Sequence, residues 1–75
     1  MDTEDRFINI IRRLQALEAH KSNPSVSFRC EKARAALHRA GKAFRREERE
    51  QAWRFMGDVE QQIVIGERFV AEAEE

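Results

Sequence analysis

The sequence predicts an all-α protein: a short N-terminal helix followed by a helical hairpin, or by one long helix, packed in the manner of a coiled coil and assembled as a dimer. Three observations lead there. Three glycines, one proline, no tyrosine and few β-branched residues in 75 leave little material for strands and their turns. Apolar residues recur at spacings of three and four along nearly the whole chain. Two of these runs alternate four and three without a break, which is the mark of a heptad seam. At this length the chain is a single small domain, residues 1–75.

The first helix is predicted over about residues 3–20. Asp2 or Thr3 can accept bonds from the free amides of its first turn, and Glu4 and Asp5 complement the positive end of its dipole. Phe7, Ile10, Leu14 and Leu17 form an apolar stripe that Ile8 and Ile11 widen, so one face points to a core. Lys21-Ser22-Asn23-Pro24 breaks it, because Pro24 disfavours the helical conformation at the residue before it.

A second helix, over about 25–41, can start at once with Asn23 or Ser25 as cap and Pro24 in the first turn, where its missing donor costs nothing. Its seam is Val26, Cys30, Ala33, Leu37, Ala40 and Phe44. Most of these are small, which permits close approach of a neighbouring backbone. A third helix, over about 47–73, carries Ala52, Met56, Val59, Ile63, Gly66, Val70 and Ala73, flanked by Phe55 and Phe69. The two seams are out of phase by one residue, a rotation of about 100°. A hairpin with Gly41 as helix stop, followed by a fresh start at Glu47, Glu48 and Glu50, accounts for that shift. One long helix that changes partner between residues 41 and 47 is the alternative. Only Glu72-Ala73-Glu74-Glu75 is expected to fray.

Composition excludes several classes. No run of 18 apolar residues spans a bilayer, and the acidic start Met1-Asp2-Thr3-Glu4-Asp5 is unlike a signal peptide, so a cytoplasmic protein that does not act at membranes is expected. Cys30 is the sole cysteine, which rules out an internal disulfide and a cysteine-rich zinc site. His20 and His38 lie 18 residues apart and have no metal-ligand spacing, so neither metal nor cofactor is expected. Cys30 falls on a seam and reads as a small apolar core residue; the glutamates around Arg45, Arg46 and Arg49 read as solvated i,i+4 partners. Gly41-Lys42 lacks the remaining residues of a phosphate loop. No catalytic residues are assigned, and an enzyme is not expected.

The distribution of charge says more than its sum of zero. Residues 21–46 hold eight basic side chains and one acid, a net +7, while residues 47–75 hold nine acids and three basic side chains, a net −6. In a hairpin, Arg29 and Lys32 would approach Asp58 and Glu60 and cancel part of this. Aromatic residues are in surplus for so short a chain. Trp53, Phe55 and Phe69, with Arg49 and Arg54 as a polar rim, are therefore the candidate contact residues for a second copy or another protein.

The layout of small-residue seam, charged turn and C-terminal apolar helix over residues 26–73 resembles small helical-hairpin proteins, among them type III secretion co-chaperones and phage-encoded proteins that bind host factors. The resemblance rests on the heptad pattern and implies a binding role, without assigning it to particular residues. Eleven arginines against three lysines suit a GC-rich bacterial or phage genome. The function expected is that of a non-enzymatic homodimer occupying the surface of another protein as inhibitor, adaptor or co-chaperone. The alternative is an anion-binding module in which Arg29, Arg34, Arg39, Arg45 and Arg46 hold nucleic acid or a signalling nucleotide.

Overall fold

Two chain reversals, one at Asn23-Pro24 and one at Glu47, divide the protein into three helices. The computed structural model describes residues 3–74, in which α1 spans Thr3–Glu18, α2 Pro24–Arg45 and α3 Arg49–Glu74. Asp2, one of the two expected caps of α1, lies outside the described residues. No strand occurs among them.

The first reversal follows from local chemistry. After α1 the chain makes a further tight turn, in which the His20 N–H donates to the Leu17 carbonyl at 3.0 Å. Asn23 then adopts an extended conformation, and its side-chain oxygen accepts from the Ser25 N–H at 3.0 Å while Pro24 occupies the first helical position. Both residues act as the sequence suggests.

The second reversal lies elsewhere than expected. Gly41 does not stop α2, which continues for another turn to Arg45. The stop is Glu47, whose φ of 60° is the left-handed conformation that ends many helices. The Glu47 N–H donates to the Phe44 carbonyl at 3.0 Å and the Glu48 N–H to the Ala43 carbonyl at 2.9 Å, the two bonds of a Schellman motif. Helix α3 starts two residues later than the sequence suggests, and it runs through Glu74, so the frayed end expected from Glu72 onward is helical as far as it is described.

The helices run up, down and up. Arg6 pairs with Glu60 and Arg13 with Glu67, two contacts with the same offset along the chain, so α1 and α3 are parallel. Phe7 meets Phe44 edge to face with ring centroids 5.7 Å apart, and Glu18 pairs with Arg34, so α1 and α2 are antiparallel. The core joins Ile10, Leu14 and Leu17 of α1 to Val26, Cys30, Ala33, Ala36 and Ala40 of α2 and to Met56, Val59 and Ile63 of α3.

The α3 seam is buried from Ala52 through Gly66 as the spacing predicts. That of α2 is broader than a single stripe. Ala36 and Ala43 are buried, while Leu37 and Phe44 are only half-buried. The cause is that α2 packs against two helices. Ala36 and Ala43 continue the row that starts at Arg29, which reaches Gln62 on α3, whereas Leu37 and Phe44 continue the row that faces α1.

At Gly66 α3 receives a side chain of α1. A Cβ placed there would lie 2.6 Å from Leu17 Cδ2, so the α1 side chain fills the space where α3 has none.

The charge pairing differs from expectation. Glu60 is taken by Arg6 and not by the basic middle segment, and Arg29 donates to the Gln62 amide oxygen at 3.0 Å. Two acids of α3, Glu60 and Glu67, therefore pair with α1 and not with α2. Among the described residues the one ion pair made by α2 is that of Arg34 with Glu18, which also holds Lys21 at 3.2 Å.

Candidate functional site

Among the described residues, folding leaves four large apolar side chains exposed: Ile8, Phe28, Trp53 and Val64. The contact residues suggested by the sequence do not share one patch. Phe55 and Phe69 are half-buried and pack against the core. Trp53, two positions from Phe55 and so about 200° around the helix, turns to the α1 side. There Arg6 lies over its ring, 4.2 Å from the centroid, and Trp53 and Arg49 line a shallow cleft with Thr3, Glu4 and Phe44. Arg54 is exposed and lines none of it.

The candidate anion-binding arginines also divide. Arg34 is bound by Glu18 through two hydrogen bonds, the longer at 3.1 Å, and this contact holds the Glu18 carboxyl below its ordinary pKa. Arg29 is half-buried against Gln62. Arg39, Arg45 and Arg46 are exposed and make no ion pair with a described acid.

What the fold assembles instead is the outward face of α2. Because α2 has neighbours on one side only, every residue about 180° from Val26 and Cys30 points to solvent. Phe28, Ala35 and Lys42 form the central row, each exposed and seven residues from the next. Lys32, Arg39 and Arg46 form a second exposed row beside it, and Glu31, His38 and Arg45 a third. The heptad spacing holds each row to one line along the axis, with about 10.5 Å between successive members.

Phe28 is the most exposed of the large apolar residues, at 48%. Its ring is flanked by the Arg29 guanidinium at 5.1 Å and the Lys32 ammonium at 5.4 Å. An aromatic ring under two cations is attracted through its quadrupole and remains partly wet. Glu31 is the one acid on α2. The face is thus strongly positive over most of the helix, with a hydrophobic anchor near its N-terminal end.

Phe28, Lys32 and Lys42 were not among the site residues suggested by the sequence. The signal for them was present: Phe28 is two residues from Val26 and two from Cys30, hence opposite the seam.

The Cys30 thiol is buried, and burial pushes its pKa up, away from the thiolate that a nucleophile requires. Among the described residues no group of three His, Cys, Asp or Glu side chains could hold a metal, and no helix is long and apolar enough to cross a membrane.

Comparison with known proteins adds no assignment: no family model, no curated protein and no solved structure matches this chain.

Proposed function

We propose that this protein is a non-enzymatic binding module that occupies a surface of another protein, as an inhibitor, adaptor or co-chaperone, through the outward face of α2. One observation carries the reading. The fold satisfies its own apolar seams and commits Glu60 and Glu67 to α1, yet leaves Lys32, Arg39, Lys42, Arg45 and Arg46 along one face, with the exposed Phe28 near its N-terminal end, without an ion pair to a described acid. Arginine and aromatic side chains together are the composition of interface hot spots.

Self-association was expected because the aromatic residues outnumbered what one hairpin could cover. That ground is reduced, since Phe7, Phe44, Phe55 and Phe69 pack against the core of a single chain. Capture of a small nucleotide is the weaker alternative, because the exposed Arg39, Arg45 and Arg46 stand with Lys32 and Lys42 along the convex outer face of α2 while Arg34 is held by Glu18.

The test is differential capture from nuclease-treated bacterial lysate, with the intact chain and a Phe28→Ala/Arg39→Glu variant of equal helicity. Proteins retained by the first and lost by the second support the reading. Equal retention by both overturns it, and so does a bound fraction that disappears with nuclease.

A further inference from the structure

We infer that the segment recognised by α2 is an acidic amphipathic helix, lying lengthwise along the central row with its glutamates at heptad spacing opposite Lys32, Arg39 and Arg46. This rests on the reading of the α2 face as the contact surface and adds the form of the partner.

The spacing is the first reason. Phe28, Lys32, Ala35, Arg39, Lys42 and Arg46 follow one another at 4-3-4-3-4, the pattern by which one helix presents a seam and its flank to another. On this face the seam is Phe28, Ala35 and the aliphatic stem of Lys42, with cations beside it. Lysine covers apolar surface with its stem while keeping its ammonium wet.

The second reason is that the bundle already contains a contact of this kind. Arg6 with Glu60 and Arg13 with Glu67 join two parallel helices through arginines seven residues apart meeting glutamates seven residues apart. Lys32, Arg39 and Arg46 have the same interval and lack the glutamates.

The third reason is charge, which decides between occupants. A second copy of this chain is a poor complement. Glu60 and Glu67 are already paired, Glu47, Glu48 and Glu50 sit at the turn among Arg45, Arg46 and Arg49, the free acids Glu4, Asp5, Asp58, Glu72 and Glu74 include no two seven residues apart, and α2 against α2 would oppose like charges. A nucleic-acid backbone would answer the cations, but it has nothing apolar to place over Phe28 and Ala35. An acidic helix with its own apolar row satisfies both.

The experiment uses the whole chain and a fluorescent synthetic helix of three heptads, with leucine in the seam and glutamate on the flank. Controls are a scrambled peptide of identical composition and a duplex DNA of similar length. The ordered peptide should bind at least about tenfold more tightly than the scrambled one at about 150 mM salt, and more weakly as salt rises. Phe28→Ala and Arg39→Glu should each weaken it about fivefold or more at unchanged helicity. A peptide with lysine in place of the facing glutamate should recover binding to Arg39→Glu.

Equal affinity for ordered and scrambled peptides overturns the inference. So does tighter binding of the duplex, or a dimer of the chain that Arg39→Glu dissolves. If lysate capture depends on Phe28 and Arg39 while peptide order is immaterial, the binding role stands and the helical partner is wrong. If neither depends on them, both fail.

Discussion

Replacing Gly66 by alanine tests how α1 is held, and its sign depends on one side chain. In an exposed helical position, glycine to alanine gains about 1 kcal/mol from helix propensity. Gly57 is the control: it lies in the same helix, with nothing within 4 Å of an added Cβ. Gly57→Ala should therefore raise Tm by about 4–8 °C, the shift that 1 kcal/mol gives in a domain of this size. At Gly66 the added Cβ would stand 2.6 Å from Leu17 Cδ2, 3.3 Å from Cδ1 and 3.4 Å from Cγ. Overpacking of this kind costs about 1–3 kcal/mol. Offset by the propensity gain, Gly66→Ala should range from neutral to about 2 kcal/mol destabilising. Leu17→Ala alone should cost about 2–5 kcal/mol, but it removes all three close atoms. In that background Gly66→Ala should turn stabilising by about 1 kcal/mol, as at Gly57. Urea unfolding followed by helical circular dichroism on the four members of the cycle gives the coupling directly. If Gly66→Ala is as stabilising as Gly57→Ala, or if Leu17→Ala leaves its effect unchanged, α1 is not seated on α3 through this pair.

Three further outcomes follow from the turns and from buried chemistry. Glu47→Gly should stabilise the chain by about 1 kcal/mol, because a non-glycine residue with a φ of 60° is strained; an unchanged urea midpoint would refute the left-handed stop at this position. Cys30 should resist iodoacetamide in the native state and react at a rate that follows unfolding, since its thiol is buried and its pKa raised; rapid alkylation without denaturant would contradict this. The Glu18 carboxyl has a lowered pKa in the folded state, chiefly through its hydrogen bond from Arg34. Its contribution is present above its unfolded pKa and is lost as pH falls through the folded value, so stability should decline on acidification, and Glu18→Gln should flatten that part of the profile.

The helices were legible because each carries an apolar period that no other structure satisfies. The α3 seam could be read from Ala52 to Gly66, beyond which Val70 is half-buried and Ala73 exposed. The α2 seam could not, because the row of Ala36 and Ala43 is buried as well while Leu37 and Phe44 of the expected seam are only half-buried. Where α2 ends was also hidden: Gly41 looks like a stop, and Glu47 does not. Glutamate has no preference for the left-handed region, so its conformation there is imposed by the packing of the two helices it joins. The destination of the charges was misread for a related reason. Sequence proximity favours pairing α2 with α3 across the hairpin, but whether α1 lies parallel or antiparallel to α3 is a tertiary fact, and the parallel arrangement assigns Glu60 and Glu67 to α1. With those acids paired to α1, the cations of α2 face solvent, which is why the proposed contact face lies on α2.

An unpaired basic face is costly to the helix that bears it, and this gives the binding role a signature in stability alone. Arg39 and Lys42 are like charges at i,i+3, and Lys42 meets Arg45 and Arg46 at i+3 and i+4. Each such pair destabilises a helix by a few tenths of a kcal/mol, whereas opposite charges at the same spacing stabilise by about as much. Arg39→Glu exchanges a repulsion with Lys42 for an attraction. Arg39 is exposed and no contact of the bundle depends on it, so nothing on the core side opposes the gain. The variant should keep or raise Tm by up to about 4 °C while losing affinity for an acidic helix. Improved stability joined to weakened binding is what a residue retained for contact should show. If instead Tm falls by more than about 4 °C, Arg39 supports the fold, and the α2 face is structural and not a docking surface.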